Sequence, residues 1–179
     1  INGAKEDDDD DVVRLRARPE SHQDDHRIVN TGKIPGVDTY KKLGFEAAVV
    51  RGRFSAQSEY VRQNLERSLG PDLNFDGYYA YASYFLTNDS RPYSNTDAGF
   101  GTVTPSNASG AWELAARVSH LDLNNIDIAG GSVDAITLGV NYYMNRNLRF
   151  AANYVMADSD IEAGDDDPNS FIFRIRWTF

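Results

Sequence analysis

Apolar and polar residues alternate with period two along most of this chain, and the alternation is clearest at its end. Phe171, Phe173, Ile175, Trp177 and Phe179 fall on one face of an extended strand, and Ile172, Arg174, Arg176 and Thr178 on the other. The same pattern recurs upstream. Leu148, Phe150, Ala152, Tyr154 and Met156 oppose Arg149, Ala151 and Asn153; Ile136, Leu138, Val140 and Tyr142 oppose Thr137, Gly139, Asn141 and Tyr143. Trp112, Leu114, Ala116 and Val118 oppose Glu113, Ala115, Arg117 and Ser119. Further strands are predicted over Phe75–Leu86, where both alternating sets hold aromatics, over Phe54–Tyr60 and over Leu43–Val50, the last two joined at Gly52. The first strand is Val13-Arg14-Leu15-Arg16-Ala17-Arg18, with Val13, Leu15 and Ala17 on one face, three arginines on the other, and Pro19 ending it. That makes eight strands and no helix. The expectation is an all-β chain, with residues 1–11 an acidic loop segment and residues 12–179 the strands.

The punctuation predicts connections of unequal length. Gly52 and the Met144–Asn147 stretch read as short turns; residues 20–39, 63–74, 122–132 and 158–169 read as longer loops at the opposite end. Bacterial outer-membrane barrels have short periplasmic turns and long extracellular loops. With the carboxyl terminus in the periplasm, only Asn88–Ser109 breaks that rule. A long structureless connection is usually functional. This one is expected to fold into the lumen and narrow it, with Arg91 as a candidate constriction residue.

Composition narrows the class. No run of 18 apolar residues occurs, so no transmembrane helix is expected, and the mean hydropathy of −0.53 is compatible with a barrel, whose strands need apolar residues only at alternate positions. Cysteine is absent, which removes disulfide and thiolate chemistry and suits export through an oxidising periplasm. The net charge of −9 argues against nucleic-acid binding. The acid gathers in Asp7–Asp11 and Asp165–Asp167, flanking strands, whereas arginines alternate within them. The opening residues Ile1-Asn2-Gly3-Ala4-Lys5-Glu6 have no apolar signal-peptide core, so the chain is expected to be part of a longer exported protein.

Several stretches together resemble the phosphate-selective porin O/P family: Val13-Arg14-Leu15-Arg16-Ala17-Arg18-Pro19-Glu20, Gly52–Tyr60, Ala82–Thr87, Gly110–Arg117, Gly139–Asn145 and the terminal Phe179. The resemblance implies a transmembrane antiparallel barrel in the outer membrane of a Gram-negative bacterium, about half of a sixteen-stranded porin, assembled as a homotrimer. It also implies contact with outer-membrane lipid and lipopolysaccharide, and a terminal signal, Phe179 with Trp177, read by the barrel-insertion machinery.

The arginines carry the functional expectation. Arg14, Arg16 and Arg18 are spaced by about 6.6–6.8 Å along one strand face, and a guanidinium stays charged and grips phosphate oxygens in a planar fork. A row of such sites passes an anion along if each binds weakly enough to release. In the family an arginine ladder conducts phosphate; by motif Arg14, Arg16 and Arg18 match it, and Arg117, Arg149, Arg174 and Arg176 join by alternation. The reading is passive diffusion of anions, phosphate or polyphosphate, through an outer-membrane channel that is not an enzyme. Lumenal arginines merely paired with Glu46, Glu59 or Glu113 would instead give a general porin. A small non-conducting eight-stranded barrel, or a soluble β-sandwich with a ligand groove, are the other readings. If His22 and His26, with Arg27 nearby, continue the ladder beyond Pro19, anion affinity would vary with pH near neutrality. His22, His26 and His120 lack zinc spacing, no EF-hand, P-loop, nucleophile elbow or dinucleotide fingerprint occurs, and no metal or cofactor is expected.

Overall fold

The computed structural model describes residues 2–5 (backbone), 11–17, 29–161 and 169–179. Twelve strands are present among them: β1 Asn2–Lys5, β2 Val13–Ala17, β3 Val29–Asn30, β4 Val37–Arg51, β5 Phe54–Arg67, β6 Leu73–Phe85, β7 Tyr93–Ser94, β8 Gly99–Phe100, β9 Ala111–Asn125, β10 Ile128–Tyr143, β11 Leu148–Asp160 and β12 Asn169–Trp177. No helix occurs among the described residues.

Seven long strands form one antiparallel sheet in the order β12-β11-β10-β9-β6-β5-β4. The sheet is open in this chain, with β12 and β4 at its edges. Its pairing is regular: Leu138 stands across from Ala116 on one side and Tyr154 on the other, and Glu113 lies between Phe85 and Asn141. At one end the turns are short: Gly52, at φ +57°, closes β4–β5, and residues 144–147 close β10–β11. This is called the Gly52 end below.

The opposite end departs from expectation. Residues 63–67 and 73–74 continue β5 and β6, and residues 122–125 and 128–132 continue β9 and β10. The connections there shrink to residues 68–72 and 126–127. Polar side chains such as Gln63, Asn64, Asn74 and Asn124 give no apolar alternation, yet backbone pairing persists through them because every N–H and C=O still needs a partner. Arg67 braces this end, its guanidinium held by Asp127 at 2.8 and 2.9 Å and by the Pro71 carbonyl at 2.7 Å.

A second correction concerns the first arginine strand. β2 is not part of the long sheet. It belongs to a separate three-stranded sheet, β1-β2-β3, extended by a bridge between Val13 and Ile34. Thr31 donates its N–H to the Leu15 carbonyl and accepts the Leu15 N–H on its hydroxyl, both at 3.0 Å, so the segment leading into β4 carries β2. Alternation reports that a strand has an apolar and a polar face, not which sheet it joins.

The two faces of the long sheet differ entirely. One carries Phe45, Val49, Leu114, Val118, Ile136, Leu138, Val140, Phe171, Phe173, Ile175 and Trp177, all exposed. Aromatics bracket this band: Phe54, Tyr84, Trp112 and Trp177 near the Gly52 end, Tyr78 with Tyr60 alongside near the other, and Trp112 packs on Tyr142 with ring centroids 4.6 Å apart. An apolar belt between aromatic girdles is how a barrel meets lipid. The opposite face, here called inner, is covered twice. The small sheet packs Val13, Leu15, Val29 and Ile34 onto Leu65, Leu73, Phe75 and Leu123. At the Gly52 end Val103, from the 86–110 connection, packs with Phe85, Ala111 and Tyr143. By strand alternation Leu65, Phe75, Leu123, Phe85 and Tyr143 all point to the inner face.

Candidate functional site

Opposite the apolar belt, the wall turns Arg117, Arg149, Arg174 and Arg176 to the inner face. β2 buries Leu15 completely and Val13 nearly so, which turns Arg14 and Arg16 away from the core. Arg14 donates through Nε to the Asn30 side-chain oxygen at 2.9 Å, which fixes the guanidinium while its terminal nitrogens remain available. Arg16 has no partner among the described residues. Arg18, His22, His26 and Arg27 lie outside the described residues, as do Asp7–Asp10 and Asp165–Asp167.

Five more candidates come from the wall and the long connection. Arg117 of β9 lies over the Tyr79 ring at 4.7 Å. Arg149 of β11 lies over the Tyr143 ring at 5.7 Å and stands directly across from Arg176 of β12, with Arg174 across from Ala151 two residues away. The aromatic strand, ambiguous in sequence, is resolved by this arrangement: Tyr78 and Tyr84 are exposed on the outer face, Tyr79 and Tyr81 serve as platforms on the inner one. A guanidinium held over a tyrosine ring gains a cation–π contact and loses rotational freedom.

Arg91 behaves differently. The 86–110 connection lies against the inner face, as its length suggested, but Arg91 is spent on a carboxylate. Its Nη2 meets both Glu113 oxygens at 2.5 and 2.7 Å, and its Nε donates at 3.1 Å. Glu113 is fully buried and also accepts from Asn141 at 3.0 Å and from the Tyr143 hydroxyl at 2.8 Å. Burial alone would favour a neutral Arg91; the adjacent Glu113 charge outweighs it and raises the guanidinium's pKa. Arg91 also lies over Tyr81 and Phe100, at 5.5 and 5.3 Å. It is a latch for the connection, with its charge cancelled. Gly110 closes that connection at φ +81°, where a Cβ would meet the Tyr143 carbonyl at 2.6 Å.

An apolar belt on one face, arginines on the other and two inserts on the arginine side describe part of a barrel wall. The sequence profile of the phosphate-selective porin O and P family matches residues 6–179. The chain belongs to that family. It is similar to Porin O of Pseudomonas aeruginosa, 34% identical over 151 residues that cover 76% of this chain and 34% of Porin O. It is equally similar to an uncharacterised protein of Caulobacter vibrioides, 34% identical over 164 residues covering 87% of this chain and 33% of that protein. The chain thus spans about a third of the length of these relatives. Family membership places this porin chain in the outer membrane of a Gram-negative bacterium and accounts for an open sheet whose edges β12 and β4 are unpaired here. Lipid does not tolerate bare sheet edges, and a closed barrel has none.

Sequence reasoning missed the tyrosine platforms and the saturation of Glu113. Neither has a spacing signature: Tyr79, Tyr81 and Tyr143 meet arginines from other strands or from the long connection. His120, set aside as a metal ligand, pairs with Asp134 at 2.9 Å and stacks on Tyr78 on the outer face.

Proposed function

We propose that this chain forms part of an outer-membrane channel for passive diffusion of anions, phosphate or polyphosphate among them, and that Arg14 and Arg16, with Arg18 next in line, are the first steps of its arginine ladder. The supporting observation is that β2 sinks Leu15 and Val13 into the inner face and thereby holds two guanidiniums off that face, with Arg16 unpaired among the described residues. In water two like charges about 6.6 Å apart repel weakly; beside a low-dielectric wall they are strengthened attractors for an oxyanion. Each fork binds two phosphate oxygens and a neighbouring fork is close enough to take one over. The reading includes a homotrimer in lipid and lipopolysaccharide, Phe179 and Trp177 as the insertion signal, and the carboxyl terminus in the periplasm.

The test is planar-bilayer recording of the full-length protein in a chloride gradient with inorganic phosphate titrated in. Anion-selective reversal and a phosphate block that Arg16→Ala relieves support the reading. Conductance with neither selectivity nor block makes it a general porin whose arginines are structural, a role that Arg91 already plays on Glu113.

A further inference from the structure

We infer that Arg51 and Arg53, with the apolar trough beside them, form a binding site for an anionic phospholipid on the outer face of the wall at the Gly52 end. The inference adds a lipid ligand to the channel reading and rests on it only for the carboxyl terminus lying in the periplasm. Trp177, paired with Leu148 beside the 144–147 turn, puts that terminus at the Gly52 end, so the lipid comes from the periplasmic leaflet.

Two features of the outer face meet here. The first is a pair of uncompensated charges. Arg51 ends β4 directly across from Phe54, a residue of the aromatic girdle, and is exposed. Arg53, in the adjoining turn, lies over the outer-face Tyr84 ring at 5.0 Å, and its carbonyl accepts the Phe85 N–H at 2.9 Å, which ties the turn to β6. Neither guanidinium meets a carboxylate among the described residues. Asp76, Asp122, Asp134 and Asp158, which share the outer face, lie at its far end.

The second feature is a gap in the apolar belt. Beyond the row of Arg51, Phe54 and Tyr84, the next two rows across β4, β5, β6 and β9 carry Ala56, Ala82 and Ala116, then Ala47, Ser58 and Ala80. Side chains this small leave an apolar trough of about 480 Å³. Larger rows bound it, Phe54, Tyr84 and Leu114 towards the Gly52 end and Phe45, Tyr60 and Tyr78 on the other side. From Arg51 the trough reaches four residues along β4, about 13 Å into the belt at a strand rise of roughly 3.3 Å.

Position selects the ligand. The arginines stand at the level of the aromatic girdle, where lipid headgroups lie, and the trough leads from there towards the middle of the belt. A molecule with an anion at the girdle and a hydrocarbon chain beneath it fills both parts. That is a phosphate diester gripped by the guanidinium forks, with one acyl chain lying in the trough. Free phosphate meets only the arginines, and a zwitterionic lipid brings a cation of its own against them.

The test is lipid retention by the full-length protein, exchanged into detergent holding equal amounts of phosphatidylglycerol, phosphatidylethanolamine and phosphatidylcholine and read by native mass spectrometry. Phosphatidylglycerol is expected to be retained preferentially. Arg51→Ser and Arg53→Ser should each lower that preference about fivefold, the worth of one basic residue at an anionic surface. Arg51→Lys/Arg53→Lys should keep most of it. Ala82→Phe fills the trough and leaves both arginines in place, and it should also lower retention. Inorganic phosphate at matched ionic strength should not displace the lipid; displacement would reduce the site to a phosphate contact and overturn the lipid assignment. Equal retention of the three lipids, or a preference that survives Arg51→Ser/Arg53→Ser, overturns the site. Loss of the oligomer in Ala82→Phe with lipid preference unchanged assigns the trough to a second copy of the chain and overturns it as well. Preferential retention with the Gly52 turn labelled from outside intact cells upholds the site and overturns the periplasmic placing alone.

Discussion

Arg91 reaches from the long 86–110 connection to Glu113, a residue with no exposure at all, and grips both of its carboxylate oxygens. Removing one partner of a buried pair leaves the other charge desolvated, at a cost of about 3–5 kcal/mol. Glu113→Ala is therefore expected to lower the temperature at which the folded band is lost in heat-modifiability gels, and to detach the connection. Glu113→Gln, which keeps the Tyr143 and Asn141 contacts, should cost less. Equal stability of Glu113→Ala and the unaltered protein would mean that the latch is not formed.

The small sheet depends on Leu15. It is fully buried between β2 and the wall, and truncation of such a leucine costs about 2–5 kcal/mol. Because the small sheet pairs with itself and with the 31–34 segment rather than with the wall, that loss should fall on its docking. Leu15→Ala is expected to raise single-channel conductance and weaken phosphate block while the wall stays folded. Conductance and block identical to those of the unaltered protein would refute it.

Depth in the membrane should be readable on the outer face. Leu138, midway along β10, lies between Ala116 and Tyr154, whereas Tyr142 sits in the aromatic girdle beside Trp112 and Phe150. Leu138→Arg is expected to cost about 2–4 kcal/mol and Tyr142→Arg about 0–1 kcal/mol for the charge itself, because arginine at the interface reaches water. Denaturant titration of the folded protein in lipid vesicles gives the ordering, and equal losses would mean that this face does not meet lipid.

Acid should loosen the 86–110 connection. Burial alone would raise the Asp89 pKa, but hydrogen bonds from the Thr87 hydroxyl and from the Ser106 backbone N–H, at 2.7 Å, and hydroxyl outweigh it and hold the carboxyl below its usual value. A depressed carboxylate stabilises the fold above the ordinary carboxylate range, and the contribution is lost as pH falls through that range towards the lowered value. Protease cleavage within residues 88–109 should accelerate on acidification in the unaltered protein, measured with a protease active from acid to neutral pH and with each rate divided by that on an unstructured peptide at the same pH. In Asp89→Asn it should be fast already at neutral pH and change less. A pH-independent cleavage rate in the unaltered protein would contradict this.

Seven of the eight expected strands were legible as members of one wall because each puts apolar side chains on lipid and polar ones inside, and period two survives in sequence. The far ends of β5, β6, β9 and β10 were not, since polar residues on both faces leave no alternation while backbone pairing continues. The arginines of the inner face were legible as a set, and their chemistry was not. Arg91 and Arg149 look alike in sequence, yet one is neutralised by Glu113 and the other rests on Tyr143 with a buried donor unpaired.

The sequence by itself determined the all-β class, the lipid-like face ending at Phe179, the likeness to the porin family and the placing of arginines opposite that face, because these follow from alternation and residue type along a single strand. Only the tertiary structure decided that Val13–Ala17 forms a separate sheet on the inner face, and which guanidinium finds a carboxylate. Both depend on which strands lie side by side, and an arginine's partner is set by the neighbouring strand rather than by its neighbours in the chain.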